Sequence, residues 1–338
     1  MSRKIGESSF GAIGFGAMGI AGWYGSVESD EERFKVLDAA HAAGCNFWDT
    51  AQIYEDSEAL IGKWFKRTGK RADIFIATKC AFMPDMSIDG SRDNILKSAA
   101  ESLEKLGVNC IDLFYLHRAD KTTPIEISVG AMAELVKEKK VKYLGLSEVS
   151  ASTLRRAHAV HPISAVEAEF SPFTLDIEDP KVDLLRMARE LGVKIVAYSP
   201  LGRGLLTGQY TSPNDFAADD FRRTIPRYSE ENFPYILRLA NGLKTIGAKY
   251  TTPTGPATAG QVALAWILAQ GDDIIPIPGT KKIKYLNENI AAKTVSLSAE
   301  DIAAVRALAV EADKAAEKAG PRYPPGMWEQ MFVDTPPL

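Results

Sequence analysis

Ile74-Phe75-Ile76-Ala77-Thr78-Lys79 and Ile111-Asp112-Leu113-Phe114-Tyr115-Leu116-His117 decide how this chain folds. Each is a short apolar run that stops on a polar side chain and gives way to a helical pattern. The same unit recurs on both sides. Cys45-Asn46-Phe47-Trp48-Asp49 precedes them, and Tyr143-Leu144-Gly145-Leu146-Ser147 comes after. Ala165-Val166-Glu167-Ala168-Glu169, Val193-Lys194-Ile195-Val196-Ala197-Tyr198 and Ile274-Ile275-Pro276-Ile277 complete the series. Such runs suit strands of a parallel sheet covered on both faces. The helices between them have readable ends. Asp30 precedes a helix running to about Ala43 and stopped by Gly44, and a helix from Ser57 stops near Gly69. Ser91 caps Arg92 to Leu106, closed by Gly107, while Asp183–Leu191 and Gln261–Gln270 end at Gly192 and Gly271. Strand-helix alternation of this kind is an α/β fold.

Seven strands are visible this way. An eighth, Phe10-Gly11-Ala12-Ile13-Gly14-Phe15-Gly16, is weakened by its glycines. Between the runs at Lys194 and Ile274 lies a stretch that must hold more than one helix and a long segment, Ser199 to about Asn232, rich in Gly, Pro, Asp and Arg. Long ordered loops of this kind are usually functional. A chain of 338 residues exceeds the usual size of one core, but strand-helix barrels are the exception. With no Pro/Ser-rich linker to divide it, the chain is expected to be one (β/α)8 TIM-barrel domain over residues 1–338. It would carry an N-terminal glycine-rich strand or hairpin, a long loop after the seventh strand, and a C-terminal extension from about residue 310 to 338.

Forty Lys+Arg against 44 Asp+Glu leave a net charge of −4, which offers no basic field to nucleic acid or an anionic membrane. No apolar stretch is long enough for a membrane helix, and no secretory signal is evident, so a cytosolic, cytoplasmic location is expected. Three cysteines, Cys45, Cys80 and Cys110, cannot all pair and lie in or beside apolar runs, as reduced thiols would.

The chemistry is carried by where the polar residues fall. Asp49, Lys79, His117, Ser147, Glu167 with Glu169, and Tyr198 with Ser199 sit at or near the ends of successive strands, where catalytic groups of a (β/α)8 barrel are found. Asp49 and Lys79, on adjacent strands, would form an ion pair that makes their burial tolerable. A competing motif is Gly14-Phe15-Gly16-Ala17-Met18-Gly19, which matches the dinucleotide fingerprint. That motif needs a helix opening on its glycines, and no helical pattern begins before about Glu31. A glycine-rich strand and loop is the preferred reading.

From about Phe10 to Asn289 the sequence resembles the aldo-keto reductase superfamily, in a branch related to the potassium-channel β subunits. Asn46-Phe47-Trp48-Asp49-Thr50-Ala51-Gln52-Ile53-Tyr54 is similar to the family's Asp-Thr-Ala…Tyr motif, Ile76–Lys79 to its lysine strand, and Asp112–His117 to its histidine strand. The resemblance implies a catalytic tetrad of Asp49, Tyr54, Lys79 and His117. It also implies NADPH-dependent reduction of aldehydes and ketones to alcohols, by hydride transfer from nicotinamide C4. Tyr54 would donate the proton, its pKa lowered by Lys79, which Asp49 holds charged; His117 would align the carbonyl oxygen.

The cofactor, NADPH/NADP+ with NADH as the alternative, would be held by two stretches similar to those of the family. In the first, which includes Ser199, Tyr198 would stack on the nicotinamide, and Leu201, Gly202, Gly204 and Leu206 wrap the pyrophosphate. In the second, Gly279, Thr280 and Lys281, ahead of a helical pattern containing Tyr285, Glu288 and Asn289, take a phosphomonoester. A solvated face is the plainer reading of Lys281, Lys282 and Lys284. Ser147 and Glu167 would meet the carboxamide. The pattern departs from the family at Glu55-Asp56, at Glu148 and Glu167, which stand where Asn and Gln are common, and at Tyr285, which stands where many members have arginine.

Trp23, Tyr24, Phe82 and Phe221, with Tyr228, Tyr323 and Trp328, are aromatic residues in irregular segments, suited to a pocket for a small-molecule carbonyl substrate. No metal site, nucleic-acid partner or membrane partner is expected; a homo-oligomer is left open. Two other functions fit parts of the pattern: an NADP(H)-sensing regulatory subunit, and a Schiff-base aldolase using Lys79.

Overall fold

The computed structural model describes residues 1–22 and 27–338. Its centre is a sheet of eight parallel strands: β1 (Phe15–Gly16), β2 (Phe47–Asp49), β3 (Phe75–Cys80), β4 (Ile111–Leu116), β5 (Val141–Ser147), β6 (Ile163–Glu169), β7 (Lys194–Tyr198) and β8 (Ile274–Pro276). They are hydrogen-bonded in chain order from β1 to β8. Helices α1 (Asp30–Ala42), α2 (Ser57–Thr68), α3 (Arg92–Leu106), α4 (Ile125–Lys137), α5 (Ala151–Val160) and α6 (Leu184–Leu191) come after the first six strands in turn. The caps fall where Ser91, Gly69, Gly107 and Gly192 predicted them, although Ser29 caps α1 and Asp30 is its first residue.

The weak eighth strand divides in two. Ser8–Gly11 pairs antiparallel with Ser2–Ile5 as an N-terminal hairpin, and only Phe15–Gly16 enters the barrel as β1. The glycines of this run explain themselves at the seam between β1 and β8. Gly14 donates its backbone N–H to Pro276 at 2.9 Å and Gly16 donates to Pro278 at 3.4 Å, so the sheet curls shut there. A Cβ on Gly16 would meet the carbonyl oxygen of Ile277 at 2.8 Å, and one on Gly279 would meet that of Gly16 at 2.6 Å. The glycines that mimic a dinucleotide fingerprint thus let two backbones approach. They lead into a single 3₁₀ turn, Gly19–Ala21, and not into the start of a helix.

The long interval after β7 holds a series of 3₁₀ turns beginning at Gly202–Thr207, then α7 (Phe233–Gly247) and α8 (Ala259–Ala269). After β8 come α9 (Ile283–Ala291) and α10 (Ala299–Ala319). The boundary expected near residue 310 lies inside α10, which runs on until Gly320 turns the chain at φ +116°. The last residues then return across the barrel, where Val333 bridges Val149 and accepts a hydrogen bond from Ser150. Cys45, Cys80 and Cys110 are free thiols. Among the described residues no helix is long and apolar enough to cross a membrane.

Candidate active site

The strand ends that the sequence marked converge at one mouth of the barrel. Lys79, at the end of β3, is wholly buried; its ammonium donates to the Asp49 carboxylate from β2 and to the Thr50 carbonyl at 2.9 Å. Glu167 from β6 adds a second carboxylate, 3.4 Å from the same ammonium. Burial pulls the Lys79 ammonium toward neutrality, but Asp49 and Glu167 outweigh it and hold it above the usual lysine range. Glu167 is pushed up to about 8 by burial first and by the Asp49 charge second. One oxygen of Asp49 and one of Glu167 are buried without hydrogen-bond partners, as two carboxyls sharing one cation and one proton would be.

Tyr54 sits on the turn between β2 and α2, with Lys79 Nζ 5.0 Å from the centre of its ring. The expected lowering by Lys79 is there, but burial outweighs it and the phenol is pushed up overall. Tyr54 therefore stays protonated near neutrality. His117 stands edge-on to Tyr54, with ring centres 5.8 Å apart, and edge-on to Phe82 at 5.4 Å. Burial, then the charges of Arg118 and Lys79, drive its pKa well down, so the imidazole is neutral.

A pocket of about 410 Å³ runs away from this cluster. It is lined by Asp49, Tyr54, His117 and Glu167, and by Tyr198, Ser199, Leu201, Gly204, Gly279, Thr280, Lys281, Tyr285, Glu288 and Asn289. The candidates Phe82, Phe221 and Tyr323 line it, and so does Met327 from the tail, which the sequence did not single out. Three expected contacts lie elsewhere. Gly202 and Leu206 are buried beneath the turn they form, and Ser147 is covered, its hydroxyl accepting from Arg118 at 3.1 Å. Of the three lysines only Lys281 reaches the pocket; Lys282 and Lys284 are exposed beside the Tyr285 ring. Tyr228 packs on Phe173 in the core, and Trp328 lies near Arg322 outside the pocket. Trp23 and Tyr24 lie outside the described residues.

The backbone at this mouth is strained. Glu55, Ala81, Glu148, Ser199 and Arg203 are non-glycine residues at φ 44°, 73°, 52°, 47° and 55°, each just past a strand or turn that feeds the pocket. Such conformations persist only where surrounding structure enforces them, and they cluster at functional sites.

Sequence reasoning missed how the tail completes the mouth. Arg322 is wholly buried, pairing with Glu148 at 2.6 Å, Glu169 at 3.1 Å and Asp176 at 2.7 Å. Its guanidinium also donates to the Tyr198 hydroxyl at 3.0 Å, and that hydroxyl donates to Glu148 at 2.7 Å. Glu148, which stands where Asn is common in the family, is thus held in a clasp with Arg322 and Tyr198. Partners so far apart in the chain leave no local signal. Arg118, by contrast, was in view beside His117 and went unremarked.

Comparison with known proteins agrees with this architecture. Residues 12–310 match the Aldo/keto reductase family. An aldo-keto reductase of Strobilurus tenacellus is 66% identical over 317 residues, covering 92% of this chain and 93% of that protein. A Schizosaccharomyces pombe protein named aldo-keto reductase yakc [NADP(+)] is 47% identical over 344 residues, covering 100% of this chain and 98% of its own. Among solved structures, the glycerol dehydrogenase of Gluconobacter oxydans superposes with a TM-score of 0.81 at 26% identity, covering 91% of this chain and 94% of that one. The chain belongs to the aldo-keto reductase family and is an oxidoreductase with the family's (β/α)8 barrel.

Proposed function

We propose that this protein reduces aldehydes or ketones to alcohols with NADPH, using Tyr54 as the proton donor. The observation that carries this reading is the Tyr54 phenol in the pocket wall, with the Lys79 ammonium 5.0 Å from its ring centre and the His117 ring edge-on at 5.8 Å. The pocket suits a dinucleotide. Tyr198 offers a ring at its inner end and Gly204, at φ +94°, leaves room along the wall. At the outer end the Asn289 side chain makes no hydrogen bond to another described residue, and Thr280 and Lys281 offer a hydroxyl and a cation for a phosphomonoester. The printed name of the fission-yeast relative, with its NADP(+), supports NADPH over NADH.

When bound, NADPH supplies the hydride that converts the carbonyl carbon to an alcohol carbon. Tyr54 gives its hydroxyl proton to the carbonyl oxygen, and the phenolate left behind is stabilised by Lys79 until solvent restores the proton. Asp49 keeps Lys79 charged and in place. Neutral His117 donates one hydrogen bond that orients the carbonyl oxygen. Phe82, Phe221 and the apolar walls keep water from competing. A buried ammonium held by carboxylates is poorly suited to Schiff-base formation, which needs a neutral amine open to substrate.

The test is Tyr54→Phe. Carbonyl reduction should fall by about 10²–10⁴-fold while the Kd for NADPH stays within about 3-fold, as expected for loss of a general acid alone. Near-normal turnover would remove Tyr54 from the mechanism. Tight NADPH binding to the unmodified protein, with no turnover over a broad panel of carbonyls, would favour a sensing role.

A further inference from the structure

Five arginines are buried among the described residues: Arg3, Arg33, Arg118, Arg227 and Arg322. Four of them are neutralised by carboxylates. Arg3 meets Asp272 at 2.6 Å, Arg33 meets Asp56 at 2.7 Å, Arg227 meets Asp176 at 3.2 Å, and Arg322 meets Glu148 at 2.6 Å. Arg118 is the exception. It is 6% exposed and lines the active-site pocket directly after His117, yet no described carboxylate lies within 4.0 Å of it. Its Nη1 donates to the His117 carbonyl at 2.7 Å and to the Ser147 hydroxyl at 3.1 Å; among the described residues Nε and Nη2 have no hydrogen-bond partner.

The nearby carboxylates are committed elsewhere. Glu148 is taken by Arg322 and Tyr198, and Glu167 and Asp49 face Lys79. Glu148 and Glu167 act on Arg118 only through space; a buried guanidinium with no carboxylate in contact is costly to maintain, and a planar carboxylate is the ligand its fork fits. The surroundings fit a short carbon skeleton: the Arg118 guanidinium carbon is 6.0 Å from the centre of the Phe82 ring, and Ile53 and Met327 line the same space.

Building on the reductase reading, we propose that Arg118 anchors a carboxylate on the substrate, so that the preferred substrates are oxo acids whose aldehyde or ketone reaches Tyr54 and His117 while the acid group pairs with Arg118. Arg118 is then the specificity-determining residue of the pocket. It makes no claim on the hydride or proton transfer, which proceeds as it would for a neutral carbonyl.

The test compares glyoxylate, succinic semialdehyde and 4-carboxybenzaldehyde, each with its methyl ester, as substrates with NADPH. In the wild type at least one acid should exceed its ester in kcat/KM by about 10-fold or more. Arg118→Met should lower kcat/KM for the acids by about 10-fold more than for their esters, chiefly through KM, and Arg118→Lys should restore part of the preference. Turnover of esters with no acid preferred would overturn the proposal. So would an Arg118→Met variant that loses acids and esters alike, or one whose NADPH Kd rises about 10-fold with the acid-to-ester ratio unchanged. Failure of every carbonyl to oxidise NADPH with the wild type would instead overturn the reductase reading beneath it.

Discussion

The two ends of this barrel are built from the same eight strands and hold together in opposite ways. At the N-terminal end the hairpin lays Phe10 against Phe47 and Phe75, with ring centres 4.8 and 5.0 Å apart, over a mainly apolar plug that includes Ile5, Leu113 and Val196, with the Arg3–Asp272 pair beside it. At the C-terminal end the same strands finish on Asp49, Lys79, Glu167 and Glu169, and the tail closes them with Arg322. Apolar packing is indifferent to which reaction occurs above it. An ionic clasp is not, because each of its charges also sets the position or charge of a group in the pocket. The difference predicts that damage at one end costs stability alone, and damage at the other costs stability and ligand binding together.

Arg322→Met is the severest test of that separation. It leaves Glu148 and Glu169 buried with a lost counter-charge and strips one partner from half-buried Asp176, a defect of about 3–5 kcal/mol in comparable sites. It also removes a donor to the Tyr198 hydroxyl, so the Kd for NADPH should rise by about 10-fold. Thermal unfolding and cofactor titration measure the two effects separately. A lowered Tm with unchanged NADPH affinity would show the clasp to be structural only.

Phe10→Ala should act on one quantity alone. Removing a ring from the plug should cost about 3–5 kcal/mol of stability by denaturant unfolding. At a temperature where the variant remains folded, its kcat/KM should match the wild type. Loss of activity in the folded variant would mean that the two ends are mechanically coupled.

How much of this was readable in the chain obeys the same division. Period and punctuation, from Ile74–Lys79 to Gly107 and Gly192, are local, so strands and helix ends were legible. The Asp49–Lys79 pair was legible because adjacent parallel strands end on opposite charges. The glycine run near the N-terminus was legible as strand and loop, but the reason for its glycines was not, because Gly14 and Gly16 answer to Pro276, Ile277 and Pro278, far along the chain. Arg322 was invisible for the same reason: its partners Glu148, Glu169 and Asp176 lie 174, 153 and 146 residues away, and no period relates them. Short-range patterns report secondary structure. Closure of the barrel and of its mouth depends on contacts that only the finished topology brings together.

The smallest effect concerns Glu167, which with Asp49 forms a carboxyl pair beside Lys79 that burial raises. Burial and the Asp49 charge raise it to about 8, against Lys79 and Arg118, which lower it; the phenols of Tyr54 and Tyr115 also face this cluster. A carboxyl raised in the folded state holds its proton where the unfolded chain has released it. Between about pH 4.5 and 8 the native state therefore binds more protons, and stability should fall as pH rises through that window, levelling off above it. The same ionisation places a second negative charge beside Lys79, on the wall of the pocket's inner end. Cationic NADP+ should then gain on NADPH by a few-fold between about pH 6.5 and 9. Glu167→Gln keeps the shape and removes the charge, so it should flatten both the stability slope and the drift in the NADP+/NADPH affinity ratio. Titrating both nucleotides across that range in the two proteins decides the matter: a ratio that drifts equally in each would assign the pH dependence to another group, and the apolar-versus-ionic contrast between the barrel's ends would lose its titratable element.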